Sequence, residues 1–76
     1  MHQKRNQKLG KELRAARAKA GLSMTELAKR LKVVPSTVYF YETGKLEPGA
    51  HRLFDLARAL DLRLDYLAGR VGRRAA

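Results

Sequence analysis

At 76 residues, with 17 Lys and Arg against 7 Asp and Glu and a formal charge of +10, the chain has room for one small core and carries a large excess of positive charge. It contains no cysteine, which excludes disulfides and thiolate metal sites, and its apolar stretches are broken by charges every few residues, which excludes a spanning helix or a secretory h-region. Such a balance attracts polyanions, nucleic acid first, and the expectation is a soluble cytoplasmic, nucleoid-associated protein with no membrane partner.

Residues 1–8, with His2, Lys4, Arg5 and Lys8, show no apolar period and read as a basic N-terminal arm. The domain proper is expected over residues 9–68. Leu9, Leu13, Ala16 and Ala20 recur at the spacing of one helix face, and Gly21 follows as its stop. Ser23-Met24-Thr25-Glu26 is a capping box for a second helix, in which hydroxyl and carboxylate each satisfy an orphan backbone N–H; Leu27, Ala28 and Leu31 form its buried face. Lys32 stands where the chain must turn. Pro35 suits the first position of a third helix, where its missing N–H costs nothing. Val34, Val38 and Tyr41 are assigned to the inner side of that helix and Gly44 to its end. Lys45 to Gly49 reads as a loop. Leu53, Leu56, Ala57 and Leu60 make a fourth helix, a turn or two around Leu64 to Ala68 a fifth, and residues 69–76 a basic tail of Gly, Arg and Ala. The fold class is therefore all-α, a compact bundle of five short helices.

Helix, short turn and helix over residues 23–43 suggest a helix-turn-helix. The segments "LGKELRAARAKAGLSMTELAKRL", "STVYFYETGKLEP" and "LFDLARALDLRLDYL" resemble the Xre-type, lambda-repressor-like helix-turn-helix DNA-binding family, over Leu9 to Leu67. The markers are Arg14 and Arg17, "GLS", "ELA", the E-x-G of Glu42 to Gly44, Pro48 and "LARAL". The resemblance implies a lambda-repressor-like bundle whose third helix lies in the major groove, in a bacterial or phage transcriptional regulator that acts as a homodimer. It also implies an interior ion pair between Arg17 and Glu42, and backbone phosphate contacts from Thr37, Thr43 and Lys45. The wheel agrees on Glu42, which falls beside Val38 and, once buried, needs a cation. Two positions depart from the family pattern: Met24 stands where Gln is common, and Lys32 where Gly is usual, at a cost of roughly 1 kcal/mol if the residue is left-handed.

With Val38 inward, the period of about 3.6 residues turns Ser36, Tyr39, Phe40 and Thr43 outward. The third helix has no Arg, Lys, Asn or Gln with which to read base edges. Ser36 can donate or accept, Phe40 can pack on a thymine methyl, Tyr39 offers a ring and a hydroxyl, and Val34 and Pro35 add methyl contacts at the helix entrance. Readout is then apolar and shape-dependent, favouring thymine-bearing steps. Phosphates are assigned to Ser23, where the second helix opens its N–H groups, to Thr37, Thr43 and Lys45, and at lower rank to Lys32, Lys29 and Arg30.

Tyr39 and Phe40 also admit a second reading as a protein-docking patch, in a DNA-binding antitoxin or an adaptor whose partner is a toxin or co-regulator. Leu62, Leu64, Tyr66 and Leu67 either close the monomer core or form a dimer surface. His2 and His51 have no partners at metal-ligand spacing, and no nucleophile and base stand together, so neither an enzyme, a metal nor a cofactor is expected.

Overall fold

The computed structural model describes residues 7–69, which form α1 (Gln7–Ala20), α2 (Met24–Leu31), α3 (Pro35–Thr43), α4 (Ala50–Leu60) and α5 (Leu64–Gly69). Each boundary has a local cause. Gly21 leaves α1 at φ 73°, and Leu22 N–H reaches back to the Arg17 carbonyl at 3.1 Å. At the start of α2, Ser23 Oγ accepts from Glu26 N–H at 3.0 Å and Ser23 N–H donates to Glu26 Oε1 at 2.7 Å. This closes the capping box. Lys32 ends α2 in the left-handed region at φ 61°, ψ 44°. Gly44 ends α3 at φ 82°, and Asp61 ends α4 at φ 56°. No described helix is long and apolar enough to cross a membrane.

The core gathers one stripe from each helix: Leu9 and Leu13, then Leu27, Ala28 and Leu31, then Val38 and Tyr41, with Leu53, Leu56, Ala57, Leu60 and Leu67 closing it. Burying each large aliphatic side chain contributes about 1.5–3 kcal/mol before the entropy of ordering is subtracted. In packing, α3 lies against α1 and α2, while α4 lies against α2, α5 and α1. Gly10 lets α1 and α3 approach backbone to backbone, since a Cβ there would collide with the carbonyls of Tyr41 and Glu42. At the other end, the Tyr66 hydroxyl donates to Glu12 Oε1 at 2.6 Å and ties α5 to α1.

Three expectations are corrected and one open alternative is resolved. The helix begins at Gln7, two residues inside the expected arm, because a first helical turn needs no apolar residue while the chain behind it supplies carbonyls for Lys11 onward. At the other terminus α5 runs to Gly69, the first residue of the expected tail. Val34 is not on the inner side of α3: it is the N-cap, extended at φ −81°, ψ 154°, and 60% exposed, because the helical wheel does not apply to a residue outside the helix. Leu67 is completely buried and belongs to the monomer core rather than a dimer surface, whereas Leu64 and Tyr66 remain exposed. His2, Lys4, Arg5, Arg70, Arg73 and Arg74 lie outside the described residues.

Candidate nucleic-acid interface

The orientation of α3 is set from inside. Arg17 Nε donates to Glu42 Oε2 at 2.6 Å and its Nη2 to Oε1 at 3.1 Å, a two-point pair between α1 and the end of α3. The third guanidinium nitrogen, Nη1, donates to the Leu22 carbonyl at 2.9 Å. One side chain thus joins α1, α3 and the approach to α2. Glu42 is the one charged residue among the buried described residues, and the planar fork of Arg17 meets both its oxygens. The hydrogen bond to Glu42 raises the Arg17 pKa above its ordinary value, against the opposing effect of partial burial. Removing either partner would leave the other charge unpaired in the interior.

With Val38, Tyr41 and Glu42 buried, the opposite face of α3 is presented to solvent. Pro35, Ser36 and Tyr39 are exposed, as is Val34 at the entrance; Thr37, Phe40 and Thr43 are half-buried. Phe40 is neither sealed in the core nor fully free. Its ring centroid lies 5.8 Å from that of Tyr39 at an interplanar angle of 56°, and Lys45 Nζ sits 5.5 Å over it. A cation held over a ring costs less to order than a free lysine, so Lys45 is positioned beside the α3 surface. The loop is pinned to the helix as well, Leu46 N–H donating to the Phe40 carbonyl at 3.1 Å.

Around this face the other assigned phosphate contacts are distributed unevenly. Ser23 is exposed at the α2 N-terminus, but its oxygen already caps the helix and Glu26 places a carboxylate beside the same N–H groups, where a phosphate would otherwise find the positive end of the dipole. The Thr43 hydroxyl donates to the Phe40 carbonyl at 3.3 Å, so contact with a phosphate exchanges one bond for another. Thr37 N–H is taken by the Val34 carbonyl at 2.9 Å while its side chain is half-buried. Lys32 is exposed at the turn between α2 and α3, alongside Arg30 and across from α4. The structure therefore groups Val34, Pro35, Ser36, Tyr39, Phe40 and Lys45 along α3 and its ends and sets Lys32 apart.

Sequence reasoning overlooks three features. The stacking of Lys45 on Phe40 needs the loop conformation, and the Tyr66 to Glu12 hydrogen bond joins residues 54 apart. Gly10 does leave a signal, an isolated glycine inside a helical pattern, which points to close packing. Among the described residues no group of three or more His, Asp or Glu could hold a metal ion.

A family model for helix-turn-helix proteins matches residues 13–67. Among curated relatives, the HTH-type transcriptional regulator y4dL of Sinorhizobium fredii is 43% identical over 53 residues, a match covering 70% of this chain but 27% of the relative. The chain thus spans about a quarter of that relative's length. Among solved structures, the restriction-modification controller protein C.AhdI from Aeromonas hydrophila superposes with a TM-score of 0.76 at 32% identity, covering 82% of this chain and 90% of that one. The P22 c2 repressor protein, solved in complex with a synthetic operator, gives a TM-score of 0.74 at 30% identity over 78% of this chain and 89% of that one.

Proposed function

The chain belongs to the Xre-type, lambda-repressor-like helix-turn-helix family, and from that premise we propose that it binds double-stranded DNA in a sequence-dependent way as a transcriptional regulator, with α3 in the major groove. One observation carries the reading: exposed Ser36 and Tyr39 beside a half-buried Phe40 ring, with Lys45 held over that ring, on a helix whose rotation is fixed from within by Arg17 and Glu42. The P22 c2 repressor, bound to its synthetic operator, supports the same use of this fold. Base contacts are assigned to Val34, Pro35, Ser36, Tyr39 and Phe40 and phosphate contacts to Ser23, Thr37, Thr43 and Lys45, while Lys32, which faces the recess between α2 and α4, is left out of the set. Because α3 has no bidentate reader, discrimination falls to the Phe40 ring against thymine methyls and to local duplex shape. A homodimer reading two half-sites about 34–36 Å apart fits the family, and exposed Leu64 and Tyr66 on α5 are available to it. The basic residues on either side of the five helices add phosphate attraction, and the working location is the nucleoid in the cytoplasm.

Selection of bound sequences from a random duplex pool at moderate salt, followed by affinity measurements with Phe40→Ala on the selected A·T-rich site and on a G·C-rich site, tests the proposal. The variant is expected to lose about tenfold on the A·T-rich site, roughly 1.4 kcal/mol, and much less on the other. Equal losses would remove apolar readout, and a pool that yields no motif would remove sequence dependence altogether.

A further inference from the structure

Between the C-terminal end of α2 and the outer face of α4 runs an open cleft of about 510 Å³. Its α2 wall carries Arg30 and Lys32 and its α4 wall His51, Arg52, Asp55 and Arg58; half-buried Ala59 supplies the apolar surface, since Leu31 behind it is sealed in the core. The single carboxylate of the lining is already engaged. Arg52 Nη1 donates to Asp55 Oδ2 at 3.3 Å, and His51 Nε2 lies 3.6 Å from the same oxygen. Arg30, Lys32 and Arg58 enter no ion pair within 4.0 Å among the described residues; Arg30 has only the longer-range attraction of Glu26. Arg58 is braced, its guanidinium 5.9 Å from the Phe54 ring centroid. Three uncompensated cations facing one concavity repel one another, and an anion placed among them removes that repulsion.

The DNA-reading helix takes no part in this cleft. None of its residues lines the walls, and α3 packs on α1 and α2 while the cleft opens where α2 meets α4. A duplex offers its phosphates on a convex cylinder, which protruding side chains meet more readily than a recess does. An extended peptide suits the recess: its carboxylates satisfy the walls and a small apolar side chain covers Ala59.

We propose that the α2–α4 cleft docks an acidic segment of a partner protein, its carboxylates on Arg30, Lys32 and Arg58 and a small aliphatic side chain over Ala59, while α3 remains available to DNA. Complementary charge makes the encounter fast and selective. The test uses the full chain and a fluorescein-labelled twelve-residue peptide of Asp and Glu interspersed with Leu and Val, followed by anisotropy, with a short DNA duplex titrated in a separate arm. Arg30→Gln with Arg58→Gln is compared with Lys11→Gln and Lys19→Gln, which removes the same two charges from the exposed side of α1. The expected result is at least tenfold weaker peptide binding in the cleft variant and less than threefold in the control, with duplex binding reduced equally in both and saturating duplex leaving the peptide bound. Equal peptide losses in the two variants would mean diffuse attraction, and overturn the proposal. So would a selective loss of duplex affinity in the cleft variant together with displacement of the peptide by duplex, which would make the cleft a phosphate site.

Discussion

Replacing Gly10 with alanine sets two effects of opposite sign against each other. By helix propensity alone the change stabilises α1 by about 1 kcal/mol. Against that, an ideal Cβ at Gly10 lies 2.8 Å from the Glu42 carbonyl carbon and 3.0 Å from the Tyr41 carbonyl oxygen, with the Glu42 carbonyl oxygen closer still. These atoms are backbone in a second helix and cannot rotate aside. Relief requires α1 to back away from α3, which disturbs the contacts of Leu9, Leu13, Val38 and Tyr41 in the shared core. Overpacking of this kind costs about 1–3 kcal/mol and more where backbone must move, so tertiary repulsion wins and the net destabilisation is about 2 kcal/mol. For a domain of this size that lowers Tm by about 8–16 °C, a large share of a stability of about 3–5 kcal/mol. The assay is thermal melting by circular dichroism, with urea unfolding to confirm an unchanged slope. Because the displaced carbonyl belongs to Glu42, DNA affinity at 10 °C should fall too. A Tm equal to or above that of the parent would refute the close approach of α1 to α3.

Four further outcomes follow from the same geometry. Glu42→Ala, which leaves Arg17 unpaired beside the core, should cost about 3 kcal/mol by urea unfolding, whereas Arg17→Met combined with Glu42→Leu should cost less than either single change, because no lone charge remains. Lys32→Gly should raise stability by roughly 0.5–1 kcal/mol, the relief of a left-handed lysine at φ 61° less the added chain entropy of glycine, and differential scanning fluorimetry reads it directly. Glu26 is held below its usual pKa by the Ser23 N–H and hydroxyl. A carboxylate whose folded pKa is lowered gives stability fully present above its unfolded value near 4.5 and lost as the pH falls through the folded one. Glu26→Gln should therefore lower Tm in the neutral range and flatten its decline below about that pH, the two proteins converging in acid. Lys45→Gln should reduce the log–log slope of DNA affinity against salt by about 0.9, the share of one neutralised phosphate, with an unchanged slope excluding the contact.

The helices of this protein were written into short-range pattern: a capping box between Ser23 and Glu26, Pro35 at the head of α3, and leucines recurring at four, each a feature of residues close in the chain. Resemblance supplied the meeting of Arg17 with Glu42, which spacing across 25 positions could not have given. The outward row of Ser36 and Tyr39 was legible because a helical wheel fixes relative directions once one inward residue is known. Val34 was misread and the place of Leu67 stayed open, each for its own reason. A wheel says nothing about a residue beyond the helix end, and the apolar character of Leu67 cannot say whether its own core or a second copy covers it. Only the assembled bundle decided that Gly10 must stay small, that Lys45 rests on Phe40, that Tyr66 reaches Glu12, and that Arg30, Lys32 and Arg58 face one cleft. Those arrangements join residues from separate helices, and their distances are set by how the helices pack, a quantity that no local stretch of sequence contains.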